Sequence, residues 1–211
     1  MQLVAENITL ERGGRPVVSA LSFRVDAGNA LVLTGPNGAG KSTLLRALAG
    51  YLRPAAGSVQ VAGAGDDREP SEVCHFVGHL DGLKSHLTAA ENLSFWATYL
   101  GGPADAGKSI AERVEEALEY FRLEALAEIP AGYLSAGQKR RLALARLAVA
   151  QRPLWLLDEP TVSLDVGSVG VLVGVIDEHL KAGGMAVIAT HVPMALHAAA
   201  TLQLGRAGVP A

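Results

Sequence analysis

Near the two ends of the chain, hydrophobic positions mainly form short apolar or alternating runs, whereas in the middle they recur with helical spacing. Short apolar or alternating runs predict strands at 3–10, 17–25, 30–34, 58–62, 73–77, 154–158 and 186–190. Helical spacing predicts helices at 41–49, 88–100, 110–121, 135–150 and 168–181. Because strands alternate with helices, the predicted fold class is α/β with a largely parallel sheet. We expect a single domain over residues 1–211, with a helical insertion at about 85–150.

Composition narrows the classes of function. Of the 211 residues, 49% are hydrophobic and 18% are charged, which is typical of a globular protein. The net charge of −3, without a basic stripe, argues against nucleic acid as a partner. One cysteine, Cys74, fits a reducing compartment. The first residues do not form a secretory signal, and no apolar run is long enough to span a membrane, so a membrane function requires a separate membrane partner.

A glycine-rich loop between a predicted strand and a predicted helix has the phosphate-binding pattern. The loop is Gly35-Pro36-Asn37-Gly38-Ala39-Gly40-Lys41-Ser42, and Thr43 follows it. Its backbone N–H groups and the helix N-terminus attract phosphate, so we assign all nine residues to ATP binding. Lys41 is expected to contact the β- and γ-phosphates, and Ser42 to bind Mg²⁺. The alternative interpretation is a glycine-rich turn with an incidental lysine.

An apolar strand at 154–158 ends in two acidic residues, Asp158 and Glu159. Carboxylates at the carboxyl end of a buried strand are suited to control a metal ion and a water molecule. Asp158 is expected to bind Mg²⁺, and Glu159 to polarise the attacking water as the catalytic base. The alternative is a strand that simply ends in an Asp-Glu-Pro turn.

The run Leu134-Ser135-Ala136-Gly137-Gln138 predicts a helix N-terminus with Ser135 as its N-cap. It also resembles the signature motif of the ABC ATPase family, with Ala136 in place of a glycine. The resemblance implies an ABC-type phosphate-loop NTPase domain, with a mixed sheet core, an antiparallel β subdomain and a helical insertion. It also implies that Ser135, Gly137 and Gln138 contact ATP held by a second copy in a head-to-tail dimer.

Two shorter segments strengthen this resemblance. The run Ser163-Leu164-Asp165 resembles the D-loop, which lies at the dimer interface in the family. His191, directly after the last strong strand, resembles the switch histidine, which implies a catalytic role. A single histidine after a strand is more often structural, but the four motifs occur here in family order.

The chain departs from the family pattern in two places. No aromatic residue precedes the phosphate loop at the position that stacks on adenine, and we name Arg12 as the candidate because a guanidinium also stacks on a purine. A solvated turn arginine is the alternative. The glutamine of the Q-loop is absent after the 73–77 strand, so either His79 or Asp81 takes its place.

With these departures, the chain resembles the ATP-binding subunits of bacterial cytochrome c maturation systems, the so-called haem exporters. The other features that carry this resemblance are the short chain, Trp155 in the acidic strand, and the segments Arg12-Gly13-Gly14-Arg15, Gly78-His79, Gly82-Leu83-Lys84, Leu87-Thr88-Ala89-Ala90-Glu91-Asn92-Leu93 and Leu134-Ser135-Ala136-Gly137-Gln138-Lys139-Arg140-Arg141. That resemblance implies an ATPase in cytochrome c biogenesis, peripheral at the cytoplasmic face of the inner membrane, with a separate integral membrane permease. ATP and Mg²⁺ are the implied ligands. A different class, a soluble ABC ATPase acting on nucleic acid or ribosomes, is the alternative. We expect the adjacent Cys74 and His75 to be ordinary strand residues and not a haem attachment site.

Overall fold

The computed structural model describes residues 1–63, 68–101 and 107–205. The chain divides into two compact units. The first comprises Met1–Gly78, Pro153–Pro160 and Val175–Ala211, and the second comprises His79–Arg152 and Thr161–Gly174. The predicted helical insertion falls within the second unit, and the single domain over 1–211 stays a prediction.

The described elements follow one another in this order: β1 (Gln2–Arg12), β2 (Arg15–Asp26), β3 (Ala30–Thr34), α1 (Lys41–Leu48), β4 (Ala56–Ala62), α2 (Pro70–Val73), β5 (Cys74–Val77), α3 (Ala89–Leu100), α4 (Ile110–Tyr120), α5 (Ala136–Val149), β6 (Leu154–Asp158), α6 (Val166–Lys181), β7 (Met185–Ala189) and β8 (Ala199–Gln203). Two short 3₁₀ helices lie at Glu124–Leu126 and Ala131–Tyr133. The predicted strands and helices are all present. α2, β8 and the two 3₁₀ helices are additional to the elements predicted from the sequence.

The first unit contains both sheets. An antiparallel sheet has the strand order β2-β1-β4, and a parallel sheet has the order β5-β6-β7-β3-β8. The predicted α/β class with its largely parallel sheet is therefore confirmed, as is the antiparallel subdomain implied by the family resemblance. Every residue of β6 and β7 is buried, which explains their continuous apolar sequences. β8 is mostly exposed and rich in alanine, so no apolar pattern marked it as a strand.

The strand order positions the functional loops. β3, β6 and β7 are neighbours and parallel, so their carboxyl ends lie together at one edge of the sheet. The phosphate loop follows β3, Glu159 follows β6, and His191 follows β7 after one residue. Ligands bind at this edge of open α/β sheets because the loops there converge.

The second unit is built around α3, α4 and α5. Each of these helices begins with a capping box, in which the N-cap hydroxyl and an acid or amide three residues later satisfy the free backbone N–H groups. The N-caps are Thr88, Ser109 and Ser135. The expectation that Ser135 caps a helix is confirmed.

His179 lies in a buried aromatic stack of the first unit. Its ring is parallel to the indole of Trp155, with 3.8 Å between ring centroids, and its Nε2 lies 3.2 Å from the Met185 carbonyl oxygen. Burial lowers the pKa of His179 to about 4, although hydrogen bonds to the Met185 and Pro153 backbone act in the opposite direction. The folded protein therefore holds this histidine neutral.

Stability is expected to fall as the pH decreases from 6.5 towards 4, because the unfolded chain binds this proton more readily than the folded chain. The free energy of unfolding should be about 2 kcal/mol lower at pH 5 than at pH 7 from this residue alone. Urea unfolding at the two pH values tests this, and His179→Phe should remove most of the difference. His197→Gln, which changes an exposed ring, is the control. An equal pH dependence in His179→Phe would contradict the assignment.

Candidate active site

The phosphate loop is shaped by its glycines. Gly35, Gly38 and Gly40 have φ angles of 132°, 83° and 97°, a backbone region that residues other than glycine rarely adopt. A β-carbon on Gly35 would lie 2.3 Å from the Leu204 carbonyl oxygen, so no side chain fits there. Gly40 is the N-cap of α1 and has no side chain with which to cap the helix. The first N–H groups of α1 and the helix dipole therefore provide an anion-binding geometry.

Lys41 is held over this loop. Its side chain is buried, and its Nζ donates hydrogen bonds to the carbonyl oxygens of Gly35 at 2.7 Å and Pro36 at 3.2 Å. A buried ammonium group requires such partners, since burial removes it from water. The lysine therefore brings a fixed positive charge to the loop that the sequence marks for phosphate.

Ser42 and Asp158 meet at the start of α1 and the end of β6. The Ser42 hydroxyl donates a hydrogen bond of 3.1 Å to Asp158 Oδ1, and the aspartate is 4% exposed. Thr43, half-buried in the same turn of α1, is the next residue. A hydroxyl and a carboxylate side by side form the kind of oxygen pair that Mg²⁺ uses together with substrate phosphates.

Glu159 and His191 form the other half of the site. Glu159 has a φ of 47°, and its N–H donates to the Ala189 carbonyl oxygen at 2.8 Å, which fixes its backbone beside the end of β7. The His191 N–H donates to Glu159 Oε2 at 3.3 Å, and His191 Nε2 lies 3.2 Å from Oε1. Two contacts therefore orient the carboxylate that the sequence names as the base.

One nitrogen of His191 connects this carboxylate to the phosphate loop. Nε2 lies 3.0 Å from Asn37 Oδ1 and 3.3 Å from Lys41 Nζ. When protonated, Nε2 donates to the oxygens of Asn37 and Glu159, and when unprotonated it accepts from Lys41. The sequence marks Asn37 as a loop residue but carries no signal for its contact with His191.

The signature residues belong to the second unit. Ser135 is exposed, its Oγ accepts from the Gln138 N–H at 3.3 Å, and its own N–H donates to Gln138 Oε1 at 2.8 Å. A β-carbon on Gly137 would lie 2.9 Å from the Ser163 carbonyl oxygen, so the glycine permits a close backbone approach. These residues are therefore held together, and their contact with ATP stays a prediction.

The D-loop candidate has a defined local role. Asp165 Oδ1 accepts from the Ser168 N–H at 2.7 Å, at the start of α6. This hydrogen bond lowers the pKa of the Asp165 carboxyl, and the positive charges of Arg141 and Arg122 act in the same direction. Asp165 is thus an ionised residue at a helix N-terminus, where negative charge is favourable.

The residues proposed in place of the missing adenine-stacking aromatic and the missing Q-loop glutamine have different surroundings. Arg12 is exposed at the end of β1, opposite Arg15 across a two-residue turn. Asp81 accepts a hydrogen bond of 3.0 Å from Arg140 Nη1, whereas His79 is exposed. Stacking of Arg12 on adenine and the replacement of the missing glutamine by His79 or Asp81 both stay predictions. Cys74 and His75 are buried in β5, as expected for ordinary strand residues.

None of the helices within the described ranges 1–63, 68–101 and 107–205 combines the length and the apolar character needed to cross a bilayer.

Comparison with known proteins identifies the family. The ABC transporter family matches residues 18–162 of this chain. A solved ATP-binding cassette, described as a dimer in a post-hydrolysis state bound to ADP and Pi, is similar with a TM-score of 0.76 and 26% identity, and the match covers 90% of this chain and 88% of the other. The chain belongs to the ABC transporter family as an ATP-binding subunit. Domains of this family bind and hydrolyse ATP, and they work as dimers with transporter partners.

Full-length relatives narrow the comparison. The chain is 47% identical to the cytochrome c biogenesis ATP-binding export protein CcmA of Agrobacterium fabrum, over 99% of this chain and 98% of the relative. It is also 47% identical to the protein of the same name from Mesorhizobium japonicum, over 99% and 100% of the two chains. The resemblance to the ATP-binding subunits of cytochrome c maturation systems is therefore confirmed.

Proposed function

We propose that this chain hydrolyses ATP for an export system of cytochrome c biogenesis, at the cytoplasmic face of a bacterial inner membrane. Residues 1–211 form one ATPase domain that pairs head to tail with a second copy and binds a separate integral membrane permease. The assignment of ATP hydrolysis is supported mainly by one observation: His191 contacts both Lys41 and Glu159 at one edge of the parallel sheet. The names of the full-length relatives support the cellular role.

ATP binding is assigned to the phosphate loop and the start of α1. The backbone N–H groups of the loop and the helix N-terminus bind phosphate oxygens, and Lys41 neutralises part of their charge. The adjacent oxygens of Ser42 and Asp158 fit Mg²⁺ as the accompanying ion. When bound, Mg²⁺ neutralises charge on the phosphates. Arg12 is assigned to the adenine.

Hydrolysis is assigned to Glu159 and His191. The Glu159 carboxylate orients a water molecule and accepts its proton as the water oxygen attacks the γ-phosphorus. The bond between that phosphorus and the ADP oxygen then breaks, which releases phosphate and ADP. His191 holds the carboxylate through its N–H and its Nε2, so the base is positioned before the reaction begins.

The signature residues complete each site from the second copy. The N-terminus of α5 presents Ser135, Gly137 and Gln138 on an accessible turn, and a helix N-terminus attracts an anion. A two-fold dimer lets each copy give its signature to the ATP of the other. ATP bound at the interface then provides the attraction that closes the dimer.

Ser135→Arg is expected to abolish ATP turnover while leaving ATP affinity within about twofold. The reason is that each chain first binds ATP at its own phosphate loop, which lies in the first unit, whereas Ser135 belongs to the second unit. Ser109→Arg is the matched control, since Ser109 also caps a helix through a capping box but is remote from the signature in sequence. Loss of either cap should cost about 1 kcal/mol of stability, whereas only Ser135→Arg should stop turnover. Phosphate release, nucleotide binding and thermal unfolding provide the measurements.

Mixing Ser135→Arg with a Lys41→Ala chain sharpens the test. A mixed dimer has one site with both defects and one with neither, so up to about a quarter of the original activity should return in an equal mixture. Full activity of Ser135→Arg as a monomer would contradict the shared-site mechanism.

A further inference from the structure

An ion pair connects the loop after β5 to the helix that carries the signature. Asp81 Oδ1 lies 3.0 Å from Arg140 Nη1, and Arg140 is in the second turn of α5. The Arg140 side chain is only 5% exposed, whereas that of Asp81 is 28% exposed. A buried guanidinium group requires polar partners, and the Asp81 carboxylate is one of them, so this ion pair favours contact between the loop and the helix.

The rest of this loop is also fixed within the second unit. Buried Asn92 accepts from the Lys84 N–H and donates to the carbonyl oxygens of Lys84, Leu87 and Thr88. The Lys84 ammonium lies 4.5 Å from the centre of the Phe95 ring. A β-carbon on Gly82 would lie 3.6 Å from the Trp96 ring, so the loop packs directly on α3. Residues 81–88 are therefore held against the helices of the second unit.

The first turn of α5 also lies close to the segment that follows the acidic strand β6. The chain enters the second unit between Gly78 and His79, after β5, and again between Pro160 and Thr161, after β6. Arg140 holds the connection after β5 through its ion pair with Asp81. In the connection after β6, the Ser163 carbonyl oxygen lies close to Gly137. Both connections thus meet the helix that begins at the signature residue Ser135.

We propose that the Asp81–Arg140 pair is a positioning contact, which holds the loop after β5 and the signature end of α5 in one arrangement. The proposal rests on the proposed function, since it concerns how the signature is presented to ATP of the second copy. Asp81 is committed to Arg140, so its role is to position the helix and not to bind the magnesium ion.

Breaking the pair is expected to lower kcat more than it changes KM. Arg140→Met removes the buried charge and keeps much of its volume, and Asp81→Ala removes the carboxylate. Each should lower kcat for ATP about tenfold and leave KM within about twofold, because orientation is lost and ATP-binding groups are not. The double variant should be no slower than the slower single variant, since both changes remove one contact.

Three further variants separate positioning from stability. Asp81→Glu keeps a carboxylate and should retain more than about half of kcat, because the charge-assisted hydrogen bond can still form. Glu116→Ala breaks the exposed Lys108–Glu116 ion pair of the same unit and should leave kcat unchanged. In a Glu159→Gln background, Arg140→Met should raise the protein concentration needed for the ATP-dependent dimer about tenfold. Thermal unfolding confirms that each variant is folded at the assay temperature.

Wild-type kcat in both Arg140→Met and Asp81→Ala would overturn the proposal, as would equal losses in Glu116→Ala. So would a double variant whose defects multiply. These results are distinguishable from failure of the proposed function, which would instead appear as undiminished hydrolysis by Glu159→Gln or by Ser135→Arg. If Glu159→Gln forms its ATP-dependent dimer and Arg140→Met leaves that dimer unchanged, only the positioning role is wrong.

Discussion

Glu159→Gln is expected to lower ATP turnover about 10³-fold, because an amide cannot take the proton of the attacking water. ATP affinity should change little, since glutamine has the same shape and its oxygen can still accept the His191 N–H bond. The variant should therefore accumulate an ATP-bound dimer. Single-turnover hydrolysis, equilibrium nucleotide binding and gel filtration with Mg²⁺ and ATP measure the three effects.

The matched control for this variant is Glu178→Gln, which neutralises an exposed carboxylate on α6 and should hydrolyse ATP normally. Turnover by Glu159→Gln at the rate of that control would show that Glu159 is not the base. Loss of ATP binding together with turnover would instead indicate that the substitution disturbs the loop contacts made through His191.

Lys41→Met is expected to weaken ATP binding about 100-fold and to abolish turnover, because a buried charge-assisted contact to phosphate is lost. Methionine keeps most of the apolar stem, so the variant separates loss of the ammonium from loss of packing. Lys41→Ala removes both and should be at least as impaired. Calorimetric titration with ATP in the presence of Mg²⁺ gives the affinity, and phosphate release gives the rate.

Lys108→Met is the control for loss of a positive charge. Lys108 and Glu116 both belong to the second unit, where they form an exposed ion pair. It should bind and hydrolyse ATP as the unchanged protein does. Near-normal turnover by Lys41→Met would remove the basis for placing the phosphates at this loop. A reduced affinity in Lys108→Met would indicate a non-specific effect of net charge.

Some features of this protein follow from short stretches of sequence. Glycine at positions 35, 38 and 40 permits the positive φ angles that the phosphate loop requires, and this preference acts within each residue. The helix starts at Thr88, Ser109 and Ser135 are equally local, because each capping box closes over three residues. Motif spacing and period therefore predicted the fold class, the order of the main elements and the candidate residues.

Other features required the tertiary structure. Ser42 and Asp158 are 116 residues apart, and Asn37 and His191 are 154 apart, yet each pair is within hydrogen-bond distance. The strand order β6-β7-β3 produces both contacts, and it depends on hydrogen bonds and burial summed over the whole sheet. Edge strand β8 has no apolar pattern, so its pairing with β3 is equally invisible in the sequence. The Asp81–Arg140 pair is a further case, because period and motif give no indication of which buried arginine meets which acid. Sequence thus determined the chemistry available to this protein, and long-range packing decided which groups act together, since a local pattern does not encode contacts between distant segments.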